Sequence, residues 1–242
     1  SDLGTERIPD PTTEGDFCRR FDSKYHIAKL HDAIDEARLN VWAKQPSEFF
    51  DQAIVDMDGS LVGTTGKCKE GMDISYDGTW GYHALIVSLA NTGEVLSLVN
   101  RPGNRPSHEG AATQCDRAIA LCRRGGFRRI LLRGDTDFSQ TEHLDRWDKE
   151  GVRFHFGYDA VPNLAEIAQE LPKSRWKKLR RPARYEVQTR ARKRPAKVKD
   201  QVVRDRDFDI LKLKSEEVAE FEYRPTKCKK SYRMIVVRKN IS

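Results

Sequence analysis

Two pairs of aspartates carry side chains that could perform chemistry. Asp56 and Asp58 close one short apolar run, and Asp135 and Asp137 closely follow another. In an extended strand, side chains two positions apart share a face, so Asp56 and Asp58 would point the same way. Carboxylate oxygens are preferred ligands of Mg²⁺ and Mn²⁺. The pattern therefore predicts a divalent-metal site of the kind that cleaves and transfers phosphodiester bonds.

The segments around the aspartates predict a mixed α/β sheet flanked by helices. Apolar runs bounded by turn residues predict strands, and apolar residues at helical spacing predict helices. In chain order these are helical residues 12–46, strands 53–57, 84–90 and 94–99, helix 107–124, strand 127–132, helix 141–150, strand 152–158 and helix 163–171. Three consecutive strands followed by alternating helices and strands is the layout of a ribonuclease H-like sheet. In that layout the first and fourth strands are neighbours, which would place Asp58 and Asp135 one strand spacing, ~5 Å, apart.

The same aspartates permit two other interpretations. Asp-Gly is a common hairpin signal and Gly-Asp a common loop, so each pair could be structural. The run Asp56–Leu61 also resembles the first motif of haloacid dehalogenase-type phosphatases, in which Asp56 would be the nucleophile and Asp58 the acid and base. That family expects a further acid where this sequence has Ser139, and parallel strands where it predicts a hairpin. The phosphatase interpretation is therefore the weaker one.

A strongly basic segment follows the predicted sheet. Residues Lys173–Lys199 contain thirteen Lys or Arg and one acid, Glu186, for a net charge of +12, whereas the whole chain carries +7. Such a cluster attracts a phosphate backbone, and Trp176 and Tyr185 could stack on bases; the alternative is a solvated basic face. The residues expected to contact DNA are Arg133, Lys177, Lys178, Arg180, Arg181, Arg190, Arg192, Lys193 and Arg194.

The sequence pattern changes along the chain, which indicates three regions. We expect a helical N-terminal region over residues 1–47, a ribonuclease H-like catalytic core over 48–172 and a smaller, basic, β-rich insertion over 173–242. In the last region, alternating apolar residues predict short strands at 202–204, 210–213, 221–223 and 232–237.

Composition favours a soluble protein of the reducing cytoplasm. The chain has 33% charged residues and no apolar run near the ~20 residues needed to span a bilayer. Its N-terminus lacks the apolar stretch of a secretory signal. Five scattered cysteines without a CxxC pair argue against a disulfide framework and against a zinc ribbon.

Longer strings in the sequence are more specific than a single Asp-Gly pair. Residues 66–76 (GKCKEGMDISY), 80–85 (WGYHAL), 100–104 (NRPGN) and 132–138 (LRGDTDF) together resemble bacterial insertion-sequence transposases of the DDE class, in the branch with a β-rich insertion in the catalytic domain. The resemblance extends over most of the chain, from about residue 12 to residue 242.

This resemblance implies DNA transposition by divalent-metal phosphoryl transfer. It implies that Asp58 and Asp135 are the first two acids of a triad that holds Mg²⁺ or Mn²⁺, with Asp56 the weaker choice for the first and Asp137 an assistant nearby. It also implies transposon-end and target DNA as partners, and a homodimer in a synaptic complex at the bacterial nucleoid.

The sequence departs from that family at the third acid, a Glu on a helix after the insertion. The segment Tyr232–Val237 has no Glu at the family's spacing, and Glu166 or Glu170 would serve only if no insertion intervened. We expect the third acid to lie beyond Ser242, which makes the chain a fragment with weak metal binding and slow turnover. The competing hypothesis is a DNA-binding remnant that keeps the fold but not the activity.

Three other polar residues have two interpretations each. His83 would hydrogen-bond DNA near the acids or serve a structural role, and Arg101 would contact a phosphate or lie in a Pro-Gly-Asn turn. Arg133 would orient Asp135 or contact the scissile phosphate.

Overall fold

The chain forms two compact units. In the computed structural model, which describes residues 10–66, 69–182, 198–206 and 213–241, one unit comprises Ser1–Asp159 and the other Ala160–Ser242. Both aspartate pairs belong to the first unit. The division into regions 1–47, 48–172 and 173–242 stays a prediction.

Two helices precede the sheet where the sequence predicted one helical region. Helix α1 (Pro11–Cys18) begins after Asp10, and helix α2 (Lys24–Trp42) begins after Ser23. Both preceding residues are N-caps, since their side-chain oxygens accept backbone N–H groups of the first turn.

A six-stranded mixed sheet forms the body of the first unit. Its strands are β1 (Ala53–Gly63), β2 (Asp73–Ile74), β3 (Trp80–Leu89), β4 (Glu94–Val99), β5 (Ile130–Gly134) and β6 (Arg153–Phe156). They run in the order β2-β3-β1-β5-β6, and β4 also lies beside β3. The β1–β3 and β3–β4 pairs are antiparallel, whereas β1, β5 and β6 are parallel. This is the ribonuclease H-like order, so the predicted fold class is confirmed.

Strand β1 is longer than its apolar run predicted. It pairs with β3 as far as Gly63, so Asp58 and Gly59 lie within a strand and not in a turn. The turn interpretation of this Asp-Gly pair is therefore wrong.

Two helices connect the later strands, near the predicted positions. Helix α3 (Ala111–Arg124) joins β4 to β5, and helix α4 (Thr141–Lys149) joins β5 to β6. The predicted start of α3 at residue 107 is four residues early. Gly110 precedes the helix with a φ of 76°, in the left-handed region, and so ends the preceding turn.

The sheet buries one face and leaves the aspartates on the other. Val55, Leu85 and Leu132 are almost completely buried, and α3 packs across β1, β3, β4 and β5. Each such side chain contributes on the order of 1.5–3 kcal/mol to folding. Because neighbouring side chains in a strand alternate between faces, Asp56 and Asp58 point away from this core.

A buried ion network holds α2 against α3 and β4. Asp35 is 5% exposed and accepts hydrogen bonds from Arg38 at 2.6 Å and from Arg117 at 2.8 Å. Arg38 also donates to Glu94, and the Trp42 indole N–H donates to the same carboxylate. Arg117 lies on α3 and Glu94 on β4, so one cluster connects three elements.

Within its described residues, the second unit contains two α-helices and a three-stranded antiparallel sheet. These elements are α5 (Pro162–Glu170), β7 (Lys177–Lys178), α6 (Val198–Asp205), β8 (Leu213–Tyr223) and β9 (Tyr232–Ile241), with the strands in the order β7-β8-β9. Helix α5 and the predicted strands at 221–223 and 232–237 are confirmed. The strand predicted at 202–204 is wrong, because Val198 and Val202 recur at helical spacing in α6. Most of the strand predicted at 210–213 lies outside the described residues.

No helix within the described part of the chain is long and apolar enough to cross a bilayer.

We predict that Asp35→Ala destabilises the protein by about 3 kcal/mol, because the buried Arg38 and the partly buried Arg117 lose the buried carboxylate that they share. The matched control is Asp32→Ala. Asp32 also contacts Arg117, at 3.4 Å, but its side chain is 62% exposed, so its loss should cost less than about 1 kcal/mol. Urea denaturation followed by circular dichroism measures both. Equal effects of the two substitutions would show that the network does not hold α2 in place.

Candidate active site

Asp58 and Asp135 follow the register of two neighbouring parallel strands. Strands β1 and β5 pair Asp56 with Arg133. This pair is the last of the β1–β5 ladder; Asp58 lies two residues further along β1, and Asp135 follows the end of β5, two residues after Arg133. A register continued over these two residues would place the carboxylates on the same face, about one strand spacing, ~5 Å, apart. The backbone of Asp135 is still extended, with φ −74° and ψ −165°. Both residues are exposed.

The turn after β5 fixes Asp135 and Asp137. Asp135 caps a short 3-10 helix, Thr136–Phe138, and its carboxylate accepts the N–H of Asp137 at 3.0 Å. Gly157, just after β6, lies so close that an added Cβ would be 2.9 Å from the carbonyl carbon of Asp135. Only glycine fits there without a shift of the Asp135 backbone. The sequence shows a glycine at this position but not what approaches it.

Asp56 forms a bidentate ion pair with Arg133. The Nε and Nη2 atoms of Arg133 donate to the two carboxylate oxygens at 2.6 Å each, and this hydrogen bonding raises the pKa of Arg133. Arg133 therefore orients Asp56, and the interpretation that it orients Asp135 is wrong. Its predicted contact with DNA stays a prediction.

The exposed aspartates suit a hard divalent cation. Asp58 and Asp135 offer only oxygen ligands, as Mg²⁺ and Mn²⁺ prefer. Because Arg133 neutralises Asp56, the carboxylates of Asp58, Asp135 and Asp137 leave this end of the sheet negative. Among the residues that the structure describes, no three His, Cys, Asp or Glu side chains group as metal ligands.

Arg101 organises the loop that follows β4. Its side chain is 8% exposed and donates to the backbone carbonyls of His83, Pro106, Ser107 and Glu109. Burial lowers the pKa of this guanidinium. The phosphate contact considered for Arg101 is wrong, because the guanidinium faces the protein interior. A sequence shows the charge of a residue but not its burial, so this role was missed.

His83 is a buried histidine that lies against the acid-bearing strand. It is 5% exposed, and its Nδ1 atom donates to the carbonyl oxygen of Arg105 at 2.7 Å. A Cβ added to Gly59 would be 2.5 Å from His83 Nε2, so the ring fills the space that glycine leaves next to Asp58. The contacts support the structural interpretation of His83.

The described part of the basic segment is partly neutralised within the protein. Lys177 and Lys178 form β7, and both are exposed, as is Arg180. Arg181 forms an ion pair with Glu216 on β8 at 2.8 Å, so its charge is neutralised within the protein. The other residues predicted to contact DNA lie outside the described residues: Arg190, Arg192, Lys193 and Arg194.

Trp176, the aromatic residue of the basic segment within the described part of the chain, is covered on one face of its ring. The Arg238 guanidinium lies 4.1 Å from the centroid of the Trp176 ring, and the indole N–H of Trp176 is buried. Stacking of this ring on a base is therefore limited to its other face. Tyr185, the second predicted stacking residue, lies outside the described residues.

The alternative third acids lie in the second unit. Glu166 and Glu170 are both exposed on α5. Their role stays a prediction.

One family model matches the part of the chain that contains these features. The model of the transposase DDE domain, group 1, matches residues 13–240, a span that contains both aspartate pairs and the basic segment. The chain belongs to this transposase family. The resemblance predicted from the four sequence strings is thereby confirmed. No curated protein matches the transposase domain.

A solved transposase is similar to this domain over part of its length. A piggyBac transposase, determined by cryo-EM in a synaptic complex with hairpin DNA, aligns with a TM-score of 0.36 and 11% sequence identity. The alignment covers 77% of the transposase domain and 33% of the piggyBac chain, so the domain spans about a third of that protein's length.

We predict that Arg101→Met destabilises the transposase domain by about 2–5 kcal/mol, because four carbonyl oxygens lose a charged donor and some become buried without a partner. Arg105→Met is the matched control. Arg105 lies in the same loop with its side chain 51% exposed, and its loss should change stability by about 0.5 kcal/mol or less. Thermal and urea denaturation measure both variants. A stable Arg101→Met protein would contradict the role assigned to Arg101.

Proposed function

We propose that this transposase domain cleaves DNA at the ends of a mobile element and transfers the freed strand to target DNA. The family match supports the transposase assignment. The observation that supports the assignment of residues is the β1–β5 register, whose last pair, Asp56 and Arg133, precedes Asp58 and Asp135 by two residues each. Mg²⁺ or Mn²⁺ bound by these two carboxylates would activate a water or a 3′-hydroxyl and stabilise the leaving oxygen.

The residues around the acid pair have separable roles in this proposal. Strands β1 and β5 set the distance between the carboxylates, and the turn capped by Asp135 fixes one of them. Arg133 neutralises Asp56, which leaves Asp58 and Asp135 as the principal anionic ligands on this face. Asp137 assists from the neighbouring turn.

We further propose that a third acid joins this pair from an element that packs on the same sheet face. The sheet face that carries the acid pair also exposes Val62, Val95 and Leu98, each by about half: 51%, 46% and 49%. Apolar side chains on a sheet face are suited to packing against another element. An element that covered them would bring a carboxylate to the same face as Asp58 and Asp135. Without it, the domain would be the DNA-binding remnant that forms the competing hypothesis.

The proposed partners are transposon-end DNA and target DNA. The exposed cations of β7 and Arg180 would hold their phosphates. A homodimer in a synaptic complex at the nucleoid completes the proposal, on the strength of the family pattern.

The phosphatase interpretation has little support. Asp56 would be its nucleophile, but both carboxylate oxygens of Asp56 accept hydrogen bonds from Arg133. The next strand in the chain that pairs with β1, β3, is antiparallel to it. We expect no hydrolysis of a small phosphomonoester; hydrolysis that Asp56→Asn abolishes would favour the phosphatase instead.

We predict Mn²⁺-dependent nicking of DNA that carries the element's end, weak in this chain and stronger in a version extended by the residues that follow Ser242. Asp58→Asn or Asp135→Asn should lower the rate about a thousandfold, because each removes a metal ligand whose electrostatic contribution is several kcal/mol. Gel assays of labelled duplexes measure the rate.

The matched control for this experiment is Asp22→Asn. The Asp22 side chain is 73% exposed in the segment before α2, and its substitution should leave nicking unchanged. Nicking by neither version of the chain would favour the DNA-binding remnant. Full activity of Asp58→Asn would exclude the proposed site.

We predict that the triple variant Lys177→Ala, Lys178→Ala and Arg180→Ala binds DNA more weakly and with a lower salt dependence. Each lost phosphate contact reduces the slope of log K against log salt by about 1. The control removes three exposed cations of the first unit, with Arg20→Ala, Lys24→Ala and Lys29→Ala. Fluorescence anisotropy across a salt series measures both slopes. An equal change in both would show that only total charge matters.

A further inference from the structure

An exposed tyrosine lies at a small pocket that adjoins the acid-bearing strands. The pocket has a volume of about 250 Å³, and its lining includes Tyr76, His83, Ser107, His108 and Asp137. No role has been assigned above to Tyr76.

Two of the residues that line the pocket lie close to Asp58 and Asp135. Its wall residue Asp137 is in the turn that Asp135 caps. Its wall residue His83 lies against Gly59, the residue after Asp58. A polymer bound at the acid pair would therefore have this pocket within reach.

Tyr76 lies in a hydrogen-bonded turn, and its ring packs little against the rest of the protein. The turn is closed by the Ser75 N–H, which donates to the Thr79 carbonyl at 2.9 Å, and by the Asp77 carboxylate, which accepts the Thr79 N–H at 3.0 Å. Hydrogen bonds from Ser75 and Thr79 lower the pKa of Asp77, so it stays ionised as an acceptor. The Tyr76 residue itself is 91% exposed. A solvated aromatic face on a hydrogen-bonded turn is a platform on which a nucleic acid base can stack.

The loop that lines the pocket, residues 103–108, is held by hydrogen bonds and offers further hydrogen-bond donors. Asn104 donates to Asp73 at 2.6 Å, and Gln140 donates to the carbonyl of His108 at 3.0 Å, so both sides of the loop are anchored. Arg105 is half exposed and lies 3.6 Å from Glu109, a weak surface pair that a stronger anion can replace. A guanidinium is well matched to a phosphate because it donates in a planar fork.

We propose that this pocket binds one nucleotide of the DNA strand beside the cleaved bond, with its base on Tyr76 and its phosphate at Arg105 and His108. The proposal rests on the proposed function, since it takes the substrate to be a DNA strand. A nucleotide matches the pocket because it combines a planar base, which stacks on an aromatic ring, with an anionic phosphate. Stacking tolerates every base, so this subsite would position the strand without reading its sequence.

Photo-cross-linking tests where the base lies. The full chain is mixed in EDTA with single-stranded oligonucleotides that carry 5-iododeoxyuridine at successive positions, and the cross-linked peptide is identified by mass spectrometry. We expect one position to cross-link to the peptide that contains Tyr76. Tyr76→Phe should keep the cross-link and Tyr76→Ala should lose it. Tyr25→Ala, which removes a tyrosine that is 66% exposed on α2, should have no effect. Cross-links elsewhere only, or an unchanged yield in Tyr76→Ala, would overturn the proposal.

Binding measurements separate stacking from a general effect on the fold. Tyr76→Ala should weaken binding of the intact oligonucleotide about tenfold, in line with the loss of one base–aromatic stack. An oligonucleotide with an abasic residue at the cross-linked position should bind wild type and Tyr76→Ala equally. Equal weakening of both oligonucleotides would show that Tyr76 acts only through the structure.

The outcome of these experiments is distinguishable from failure of the proposed function. Asp58→Asn should retain the cross-link in EDTA, because the pocket does not require the metal. A Tyr76 cross-link without any metal-dependent nicking would sustain the subsite and reject the nuclease activity. Nicking that is retained while Tyr76→Ala cross-links normally would reject the subsite alone.

Discussion

The parallel pairing of β1 with β5 is the constraint on which the candidate active site depends. Val55 and Leu132 are both fully buried on the face that α3 covers, so the apolar core determines which residues face each other. A slip by one residue would move these side chains to the solvent and turn Asp58 into the core, at a cost of several kcal/mol. The spacing of the carboxylates is therefore set by apolar packing, while the carboxylates themselves repel each other and contribute nothing to folding.

Charged residues of this protein act in two different settings. The Arg101 residue and the Arg38 side chain are each more than nine-tenths buried. Both guanidinium groups donate to several oxygen atoms and so hold backbone segments in place. Lys177 and Arg180 are exposed and suited to a mobile polyanion. The net charge of +7 counts both kinds alike. Only burial and partners separate a cation that builds the fold from one that is free to meet a ligand.

Much of the sheet could be predicted from the sequence because its signals are local. The short turn between β3 and β4 and the alternation of later strands with helices lead to the observed strand order. Other features depend on contacts distant in the chain. The Asp56–Arg133 pair joins residues 77 positions apart and requires the register to be known. The approach of Gly157 to Asp135 has no signal beyond a glycine, and α6 was mistaken for a strand because short apolar alternation suits both structures.

The ladders that β1 forms with β3 and with β5 end at different residues, and this affects the space between Asp58 and Asp135. The β1–β3 ladder continues to Gly63, whereas the β1–β5 ladder ends at Asp56. Beyond that point the chain after β5 packs against Gly157, on the side of β6. The two strands thus separate beyond Asp56: Asp58 stays in β1, paired with β3, whereas Asp135 lies just after the end of β5. A closed ladder would leave no room between their oxygens, whereas a widening gap lets a small ion keep part of its water shell, which Mg²⁺ surrenders reluctantly.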